Sequence, residues 1–320
     1  MRVLLLLALA IILLPRPAFA GQLWVSNEKD NTVSVVDTEA LKVTGTYPVG
    51  LRPRGITFSK DYSELYICAS DDDRIDVVDP DTGLTIRTLT SGEDPEQFAL
   101  HPNNTDLYIA NEEDALATVM NVKTGEVLAE INVGVEPEGV GISPDGKIAV
   151  VTSETTNMVH WIDTGKKELF ANTLVGQRPR HAEFSHDGTR LWVSSEVGGQ
   201  VQVLDVATQS LIKELHFSIP GVSSDLIQPV GIRLTADDKT AFIALGPANH
   251  VAVVDTKSFA IKKYILVGAR VWHLEFANDE KTIFSVNGTS GDVTAIDVKS
   301  LEAVKSIKVG RYPWGAAYRP

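Results

Sequence analysis

A short phrase that recurs at a fixed interval constrains the fold of this chain more than any other feature. The phrase Val-Gly-x-x-Pro-x-Gly occurs at Val49–Gly55, Val133–Gly139 and Val309–Gly315, and weaker copies lie between them. The proline position recurs every 42 residues, except for one step of 50 residues. The equivalent positions are Pro53, Pro95, Pro137, Pro179, Pro229, Val271 and Pro313. Seven such positions indicate one structural unit repeated seven times.

Each repeat contains four short β-rich segments separated by turns. In the repeat that follows Pro53 these segments are Arg54–Ser59, Glu64–Ala69, Arg74–Asp79 and Thr85–Thr90. Four strands in roughly 40 residues are typical of a propeller blade, whereas the repeats of a parallel β-helix are much shorter. The sequence therefore predicts an all-β fold, a seven-bladed β-propeller with four-stranded antiparallel blades. The long step adds residues around Gly221–Gln228, which we expect to form a loop because of their Pro-Gly and Ser-Ser pairs.

The two ends of the chain predict how the ring closes. The N-terminal part supplies three strands, near Leu23–Val25, Thr32–Asp37 and Lys42–Pro48, and the C-terminal part supplies one, Gly315–Tyr318. We expect the last strand to join the first three in one blade, because this closure removes two unpaired sheet edges. Residues 21–320 are then a single domain.

The first twenty residues have the features of a secretory signal peptide. Arg2 precedes an apolar run from Val3 to Leu14, and Ala18–Ala20 is a small-x-small cleavage site. The apolar run is too short to span a bilayer. We therefore expect cleavage after Ala20, a periplasmic protein and no membrane insertion.

Charge and cysteine content exclude several classes of function. The formal net charge of −13 disfavours binding to nucleic acid. Cys68 is the one cysteine of the chain, which excludes an internal disulfide, a thiolate metal cage and covalent haem attachment. We expect Cys68 to be a small buried apolar residue. Motifs of serine hydrolases, phosphate loops and zinc proteases are missing from the sequence.

The repeat resembles that of a known family. Asn31–Asp37, Leu65–Ile67 and Pro137–Val140 are similar to the YVTN repeats of β-propeller proteins, and the similarity covers the whole of residues 21–320. The length, the leader peptide and the seven copies resemble the branch associated with PQQ-dependent alcohol catabolism. This resemblance implies an exported propeller that acts beside a quinoprotein dehydrogenase, a cytochrome c or a transporter component. A more distant resemblance is to the haem d1 propeller of cytochrome cd1 nitrite reductase, which has eight blades.

Loops around the repeated proline predict a binding surface. In a propeller the loops that enter the innermost strands open on one face, which we call the mouth. Arginine offers planar donors and tryptophan a stacking face, so the mouth suits an anionic, planar or carbonyl-rich ligand or a partner. We expect Arg180, His181 and Trp272 to be exposed there; the alternative is that these loops are merely polar surface. The predicted binding residues are Arg52, Arg54, Arg178, Arg180, His181, Arg270, Trp272, His273, Tyr312 and Trp314.

Charged and histidine side chains also occupy equivalent positions on three successive innermost strands. Because residues i and i+2 of a strand share a face, Glu183 and Glu275 should flank Arg233 and form a structural ion cluster between blades. His181 and His273 are candidate proton carriers or ligands to a haem or metal. They come from blades that are two apart, so we do not expect one ion to bridge them.

Three functions remain open at this point. The first is a non-catalytic exported binding or accessory protein. The second is a propeller lactonase, in which His181 or His273 would be the base and Arg180 would stabilise the oxyanion. The third is a carrier of haem or another cofactor. The candidate ligands for Ca²⁺ are Glu28, Glu112, Glu154 and Glu196. The alternative is that these carboxylates are solvated or cap backbone amides.

Overall fold

The computed structural model describes residues 21–277 and 279–320. Its strands form seven four-stranded antiparallel sheets, so the prediction of a seven-bladed β-propeller is confirmed. The predicted signal peptide lies outside the described residues. Within the described ranges, the helical segments are all too short and too polar to cross a bilayer.

The strands follow each other in chain order from the inside of each blade to the outside. Blade 1 begins with β1 (Gln22–Asn27), β2 (Thr32–Asp37) and β3 (Lys42–Pro48). Blade 2 contains β4 (Pro53–Phe58), β5 (Leu65–Ala69), β6 (Arg74–Asp79) and β7 (Leu84–Thr90). Blade 3 contains β8 (Pro95–Leu100), β9 (Asp106–Asn111), β10 (Leu116–Asn121) and β11 (Val127–Asn132). Blade 4 contains β12 (Pro137–Ile142), β13 (Ile148–Ser153), β14 (Met158–Asp163) and β15 (Glu168–Leu174).

The last three blades repeat this order, and the final strand returns to the first blade. Blade 5 contains β16 (Pro179–Phe184), β17 (Arg190–Ser195), β18 (Gln200–Asp205) and β19 (Leu211–His216). Blade 6 contains β20 (Ile232–Leu234), β21 (Thr240–Ala244), β22 (His250–Asp255) and β23 (Ile261–Leu266). Blade 7 contains β24 (Val271–Phe276), β25 (Thr282–Asn287), β26 (Asp292–Asp297) and β27 (Glu302–Lys308). Two short 3₁₀ turns lie at Ser70–Asp72 and Ser224–Leu226.

The ring closes as predicted. Strand β28 (Pro313–Arg319) pairs antiparallel with β1, with Tyr318 opposite Leu23 and Ala316 opposite Val25. The sheet order is therefore β28-β1-β2-β3. Both termini of the domain are held in one blade, and β1 is paired on both of its edges, with β28 on one side and β2 on the other.

The core lies between the blades. The two middle strands of a blade are buried on both faces because a neighbouring sheet covers each face; all five residues of β5 are buried. Trp24, Trp161 and Trp192 are among the largest fully buried side chains. Cys68 is fully buried among apolar neighbours, as predicted, and burial raises the pKa of its thiol well above the usual value.

The innermost strands approach each other closely near the mouth. A Cβ atom on Gly139 would lie 2.5 Å from the Arg180 carbonyl oxygen of the next blade, and one on Gly55 would lie 2.9 Å from the Glu96 carbonyl oxygen. Only glycine fits at such contacts. The narrowness of the ring at this level decides which side chains can enter the channel.

The loop created by the longer repeat step is packed against the ring. Ile219 and Ile227 are buried with the apolar residues of blades 5 and 6. The Ser218 amide donates a hydrogen bond to the Tyr264 hydroxyl at 3.0 Å. The extra residues thus extend the core between two blades instead of hanging over the mouth.

Deletion of Pro313–Pro320 should abolish cooperative folding, because β1 would lose its inner partner and the apolar residues next to Leu23 would meet water. Removal of Pro320 alone, which follows β28 and is exposed, is the control and should leave unfolding unchanged. Thermal and chemical unfolding curves provide the measurement. An unchanged transition in the longer deletion would contradict closure by β28.

Candidate functional site

The mouth is filled by a network of ion pairs. Arg180 pairs with Glu138 at 3.0 Å and with Glu154, and all three residues are less than 5% exposed. Arg178 lies 2.8 Å from Glu154, and Arg270 lies 2.6 Å from Glu196. These contacts link blades 4, 5 and 7. Guanidinium groups make such multiple contacts because they are planar and carry several donors.

The opposite half of the mouth is built in the same way. Arg52 binds Glu96 at 2.9 Å and also Asp94, and Arg54 binds Glu96 as well. Glu96 is fully buried, so both arginines neutralise a charge that has left water. Arg52 and Asp94 share a left-handed φ, between 48° and 59°, with four of the other residues that precede the repeated proline position. The remaining members are Glu136, Arg178, Arg270 and Tyr312.

The tryptophans of the mouth stack on the arginines. Trp272 lies between Arg270 and Arg180, whose guanidinium carbons are 4.3 and 5.6 Å from the indole centroid. Arg54 lies 5.7 Å from the centroid of Trp314, which is only 2% exposed. The aromatic faces predicted to receive a ligand are therefore occupied by cation–π contacts.

The expectation of exposed binding residues at the mouth is wrong for several of them. Arg180 and His181 are 4% and 6% exposed, and Trp314 and His273 are buried too. The reason is the small diameter of the ring, which brings acidic positions from some blades against basic positions from others. Tyr312 and Arg178 remain exposed, and the other predicted mouth residues are partly buried.

The four glutamates considered for Ca²⁺ do not gather into one site. Glu28 lies 3.7 Å from Arg54, while Glu154 and Glu196 pair with the arginines of the mouth. Glu112 lies apart from these pairs and close to other carboxylates. Glu112 belongs to two clusters of three carboxylates. One consists of Asp94, Glu96 and Glu112, and the other of Glu112, Glu136 and Glu154.

Glu112 holds a proton at neutral pH. Burial and the nearby negative charge of Glu96 raise its pKa to about 8, and the acid form donates a hydrogen bond to Glu96. Burial also raises the pKa of Glu138, and the charges of Arg180 and Arg54 oppose this effect. Protonation of Glu112 thus partly relieves the excess of carboxylates over arginines at the mouth.

Below the mouth, one ring of positions on the innermost strands alternates between glycine and polar side chains. We call this ring the waist; each member lies two residues after the repeated proline position. His181 and His273 belong to it, and their ring centroids are 5.6 Å apart. Although they come from blades that are two apart, the two rings lie close together because the blade between them contributes only Gly231. The members are Gly55, Gln97, Gly139, His181, Gly231, His273 and Gly315.

A cavity begins at the waist and continues along the central channel away from the mouth. Its volume is about 390 Å³. Gln97, His181 and His273 line its inner end, whereas Lys60 and His186 line it at the exposed turns where innermost strands end. Arg180, Glu96 and Glu138, which are buried in the ion-pair network of the mouth, do not contribute to its lining. The channel is therefore accessible from the face opposite the mouth.

The wall of the channel is polar on one side and made of small residues on the other. Arg233 lies 3.2 Å from Glu183 and 3.1 Å from Glu275, and all three side chains are 22–27% exposed, because they face the channel. Burial raises the pKa of both glutamates, and the positive charge of Arg233 lowers it. For Glu183 the net result is a pKa below the usual value, whereas for Glu275 burial prevails and the pKa is raised. Across from this cluster the same level carries Thr57, Ala99 and Gly141.

Four nitrogen atoms at the inner end of the channel lack hydrogen-bond partners among the described residues. They are His181 Nδ1, His273 Nε2, Gln97 Nε2 and Trp314 Nε1. Leaving a buried polar group without a partner costs about 1–3 kcal/mol, so such groups mark strain or a binding site. Gln97 was missed by the sequence analysis, although it occupies the same repeat position as the two histidines.

The structure gives no specific support to the hydrolase or haem hypotheses. Arg180, the proposed oxyanion donor, lies in the ion network of the mouth and outside the cavity. The ring of His273 is packed 4.4 Å from Trp314 and 5.6 Å from His181, measured between centroids. Burial and neighbouring positive charges lower the pKa of His273 well below its usual value, so it is a neutral imidazole.

Comparisons with known proteins agree with this fold. The family model of the YNCE-like β-propeller matches residues 61–315, and the chain belongs to this family. No curated protein matches it at a significant level. The PQQ-associated branch is not among these matches.

Three solved structures illustrate the similarity in fold. Kuenenia stuttgartiensis hydrazine synthase matches with a TM-score of 0.80 at 20% identity, covering 87% of this chain and 92% of that one. A functionally unknown protein from Desulfotomaculum acetoxidans has a TM-score of 0.78 at 14% identity, with 93% and 98% covered. A protein from Lactobacillus plantarum has a TM-score of 0.78 at 17% identity, with 94% and 98% covered. At these identities the likeness shows the fold alone.

Replacing Arg180 with alanine should lower the free energy of unfolding by about 3–5 kcal/mol, because Glu138 and Glu154 would stay buried without their cation. Arg178 is the matched control: its side chain is 48% exposed, and its loss should cost less than about 1 kcal/mol. Chemical denaturation of both variants tests this. Equal, small losses would show that the mouth network does not stabilise the ring.

Replacing Glu112 with glutamine should stabilise the protein in alkaline but not in acidic solution. Because the folded state keeps the Glu112 proton up to about pH 8 and the unfolded chain releases it near pH 4.5, wild-type stability falls as the pH rises between these values. Glutamine binds no proton, so the advantage of the variant grows over this range and is constant above it. Denaturant unfolding at pH 5, 7 and 9 measures it. The exposed neighbour Glu113, changed to glutamine, should show no such trend.

Proposed function

We propose that this protein is an exported, non-catalytic binding protein that holds a small ligand in its central channel and serves a quinoprotein alcohol-oxidation system. The observation that carries the proposal is the set of four nitrogens without partners at the inner end of the channel. A rigid ring of seven blades fixes their positions before any ligand arrives. Such preorganisation favours binding because little conformational entropy is lost.

The chemistry of the lining supports binding over catalysis. Among the described residues that line the cavity, Thr57 supplies the hydroxyl group, and neither serine nor cysteine is present. His181 has a carboxylate, Glu183, at 3.4 Å, but no nucleophile accompanies the pair in the cavity. A triad-like arrangement needs a nucleophile within hydrogen-bond reach of the base.

The cellular role rests on the sequence resemblance. The leader sequence before Gly21 supports export to the periplasm, and the YVTN-like repeats support a role beside a quinoprotein dehydrogenase, a cytochrome c or a transporter component. The acidic composition argues against nucleic acid as the ligand. An accessory protein of this kind would bind a reactant or product and pass it to its partner.

Filling the channel tests the proposal. Replacing Thr57 with leucine puts a larger apolar side chain into the cavity opposite the ion cluster. A strain carrying only this variant should grow poorly on ethanol and normally on succinate. The matched control is Thr88→Leu, at an exposed position of β7, which should grow normally on both.

Two outcomes would contradict the proposal. Normal growth on ethanol of the Thr57→Leu strain, with the variant folded and exported, would show that the channel is not the working site. Normal growth on ethanol of a strain without the gene would remove the link to alcohol oxidation.

A further inference from the structure

We propose that the ligand of the channel is a small monocarboxylate with an apolar body, bound through its carboxylate by nitrogen donors at the inner end of the channel. The donors are the side chains of Gln97, His181 and Trp314. This inference rests on the channel site of the proposed function and names the chemical class of its ligand.

Three of the free nitrogens, those of Trp314, Gln97 and His181, are donors, and this decides the chemistry of the ligand. An indole nitrogen only donates, and the free atom of Gln97 is its amide nitrogen. Arg233 Nη1 lies 3.3 Å from His181 Nε2; since a guanidinium cannot accept, Nε2 accepts and Nδ1 carries the proton. A ligand that satisfies these groups must present acceptor oxygens.

Positively charged groups lie near the waist. In addition to burial, the charges of Arg233, Arg180 and Arg54 lower the pKa of His273. A hydrogen bond from a neutral donor to a charged acceptor is also stronger than one between neutral groups.

The charges further along the channel limit the ligand to one carboxylate. Arg233 is already neutralised by Glu183 and Glu275, which flank it at 3.2 and 3.1 Å. A second negative group next to these carboxylates would be repelled. The ligand is therefore charged at the waist and uncharged beyond it.

The rest of the cavity suits an apolar body of limited size. Phe58, Phe98 and Phe184 line it, together with Leu100 and Ile142. A volume of about 390 Å³ lies at the lower end of the range for small-molecule sites. A benzoate or a short-chain fatty acid has the required combination of one carboxylate and an apolar remainder.

Titration calorimetry with benzoate, benzamide and phenylphosphonate tests the inference on the wild-type protein. Benzoate should bind at least about tenfold more tightly than benzamide, because hydrogen bonds to a charged acceptor are stronger than those to a neutral amide. Phenylphosphonate should bind more weakly than benzoate, because Glu183 and Glu275 oppose its second charge. Equal affinities for benzoate and benzamide, or no binding of benzoate, would overturn the inference.

Two tryptophan variants separate the donor from the bulk of the ring. Trp314→Phe removes an indole nitrogen at the cavity and should weaken benzoate binding about tenfold. Trp272→Phe removes another indole nitrogen without a partner, but one that does not line the cavity, so it should leave the affinity unchanged. An unchanged affinity in Trp314→Phe, or equal losses in both variants, would contradict the assignment.

The indole N–H resonances of the wild-type protein provide a test that does not depend on whether a variant folds. The chain has five tryptophans, and the indole N–H resonance of Trp314 should shift on addition of benzoate while that of Trp24 stays in place. A shift restricted to residues outside the cavity would refute the site. If carboxylates do not bind but Thr57→Leu blocks growth on ethanol, the inference fails and the proposed function stands. If benzoate binds as described but the Thr57→Leu strain grows normally on ethanol, the inference stands and the proposed function fails.

Discussion

The packing of seven innermost strands around one axis is the constraint on which the rest of this structure depends. Each blade is a four-stranded sheet whose middle strands are buried on both faces, so no blade is stable without two neighbours. The strands approach so closely near the mouth that Gly139 is nearly in contact with the Arg180 backbone of the next blade. At any level of the channel, a side chain from one blade therefore shares its space with side chains from several others.

This crowding gives the two ends of the channel different roles. At the mouth, arginines and glutamates from different blades meet and neutralise each other, as in the buried pair of Arg180 and Glu138. The protonated Glu112 relieves part of the remaining negative charge. Beyond the waist, small residues such as Ala99 and Gly141 leave open the space that the polar groups face. Ion pairs hold the ring together at one end, and the other end remains available to a ligand.

The spacing of the repeated proline was sufficient to predict the number of blades, the strand order and the closure by β28. These features depend on sequence position alone. The predicted contacts of Arg233 with Glu183 and Glu275 followed from the same reasoning, because they require only the level of each residue and its neighbouring blade. For two strands, Thr32–Asp37 and Arg74–Asp79, the predicted first and last residues are those found in β2 and β6.

What the sequence could not supply is the radius of the channel at each level. Without it, Arg180 and His181 were expected on an exposed surface, and the close approach of the His181 and His273 rings was not foreseen. Nor did the sequence show which face of the ring is open. Comparing all seven residues of the waist would have identified Gln97, because four of them are glycines and Gln97 is the one polar residue besides the two histidines.

We propose that the channel, entered from the face opposite the mouth, is the working site of the protein. Thiol labelling tests most directly whether the channel is accessible from that face. Native Cys68 is fully buried, so it provides a silent background in the folded protein. A cysteine placed at Thr57, on the channel wall, should react rapidly with a small water-soluble maleimide, while one placed at Arg180, in the mouth network of a protein that remains folded, should react slowly. The opposite order of rates would contradict the account.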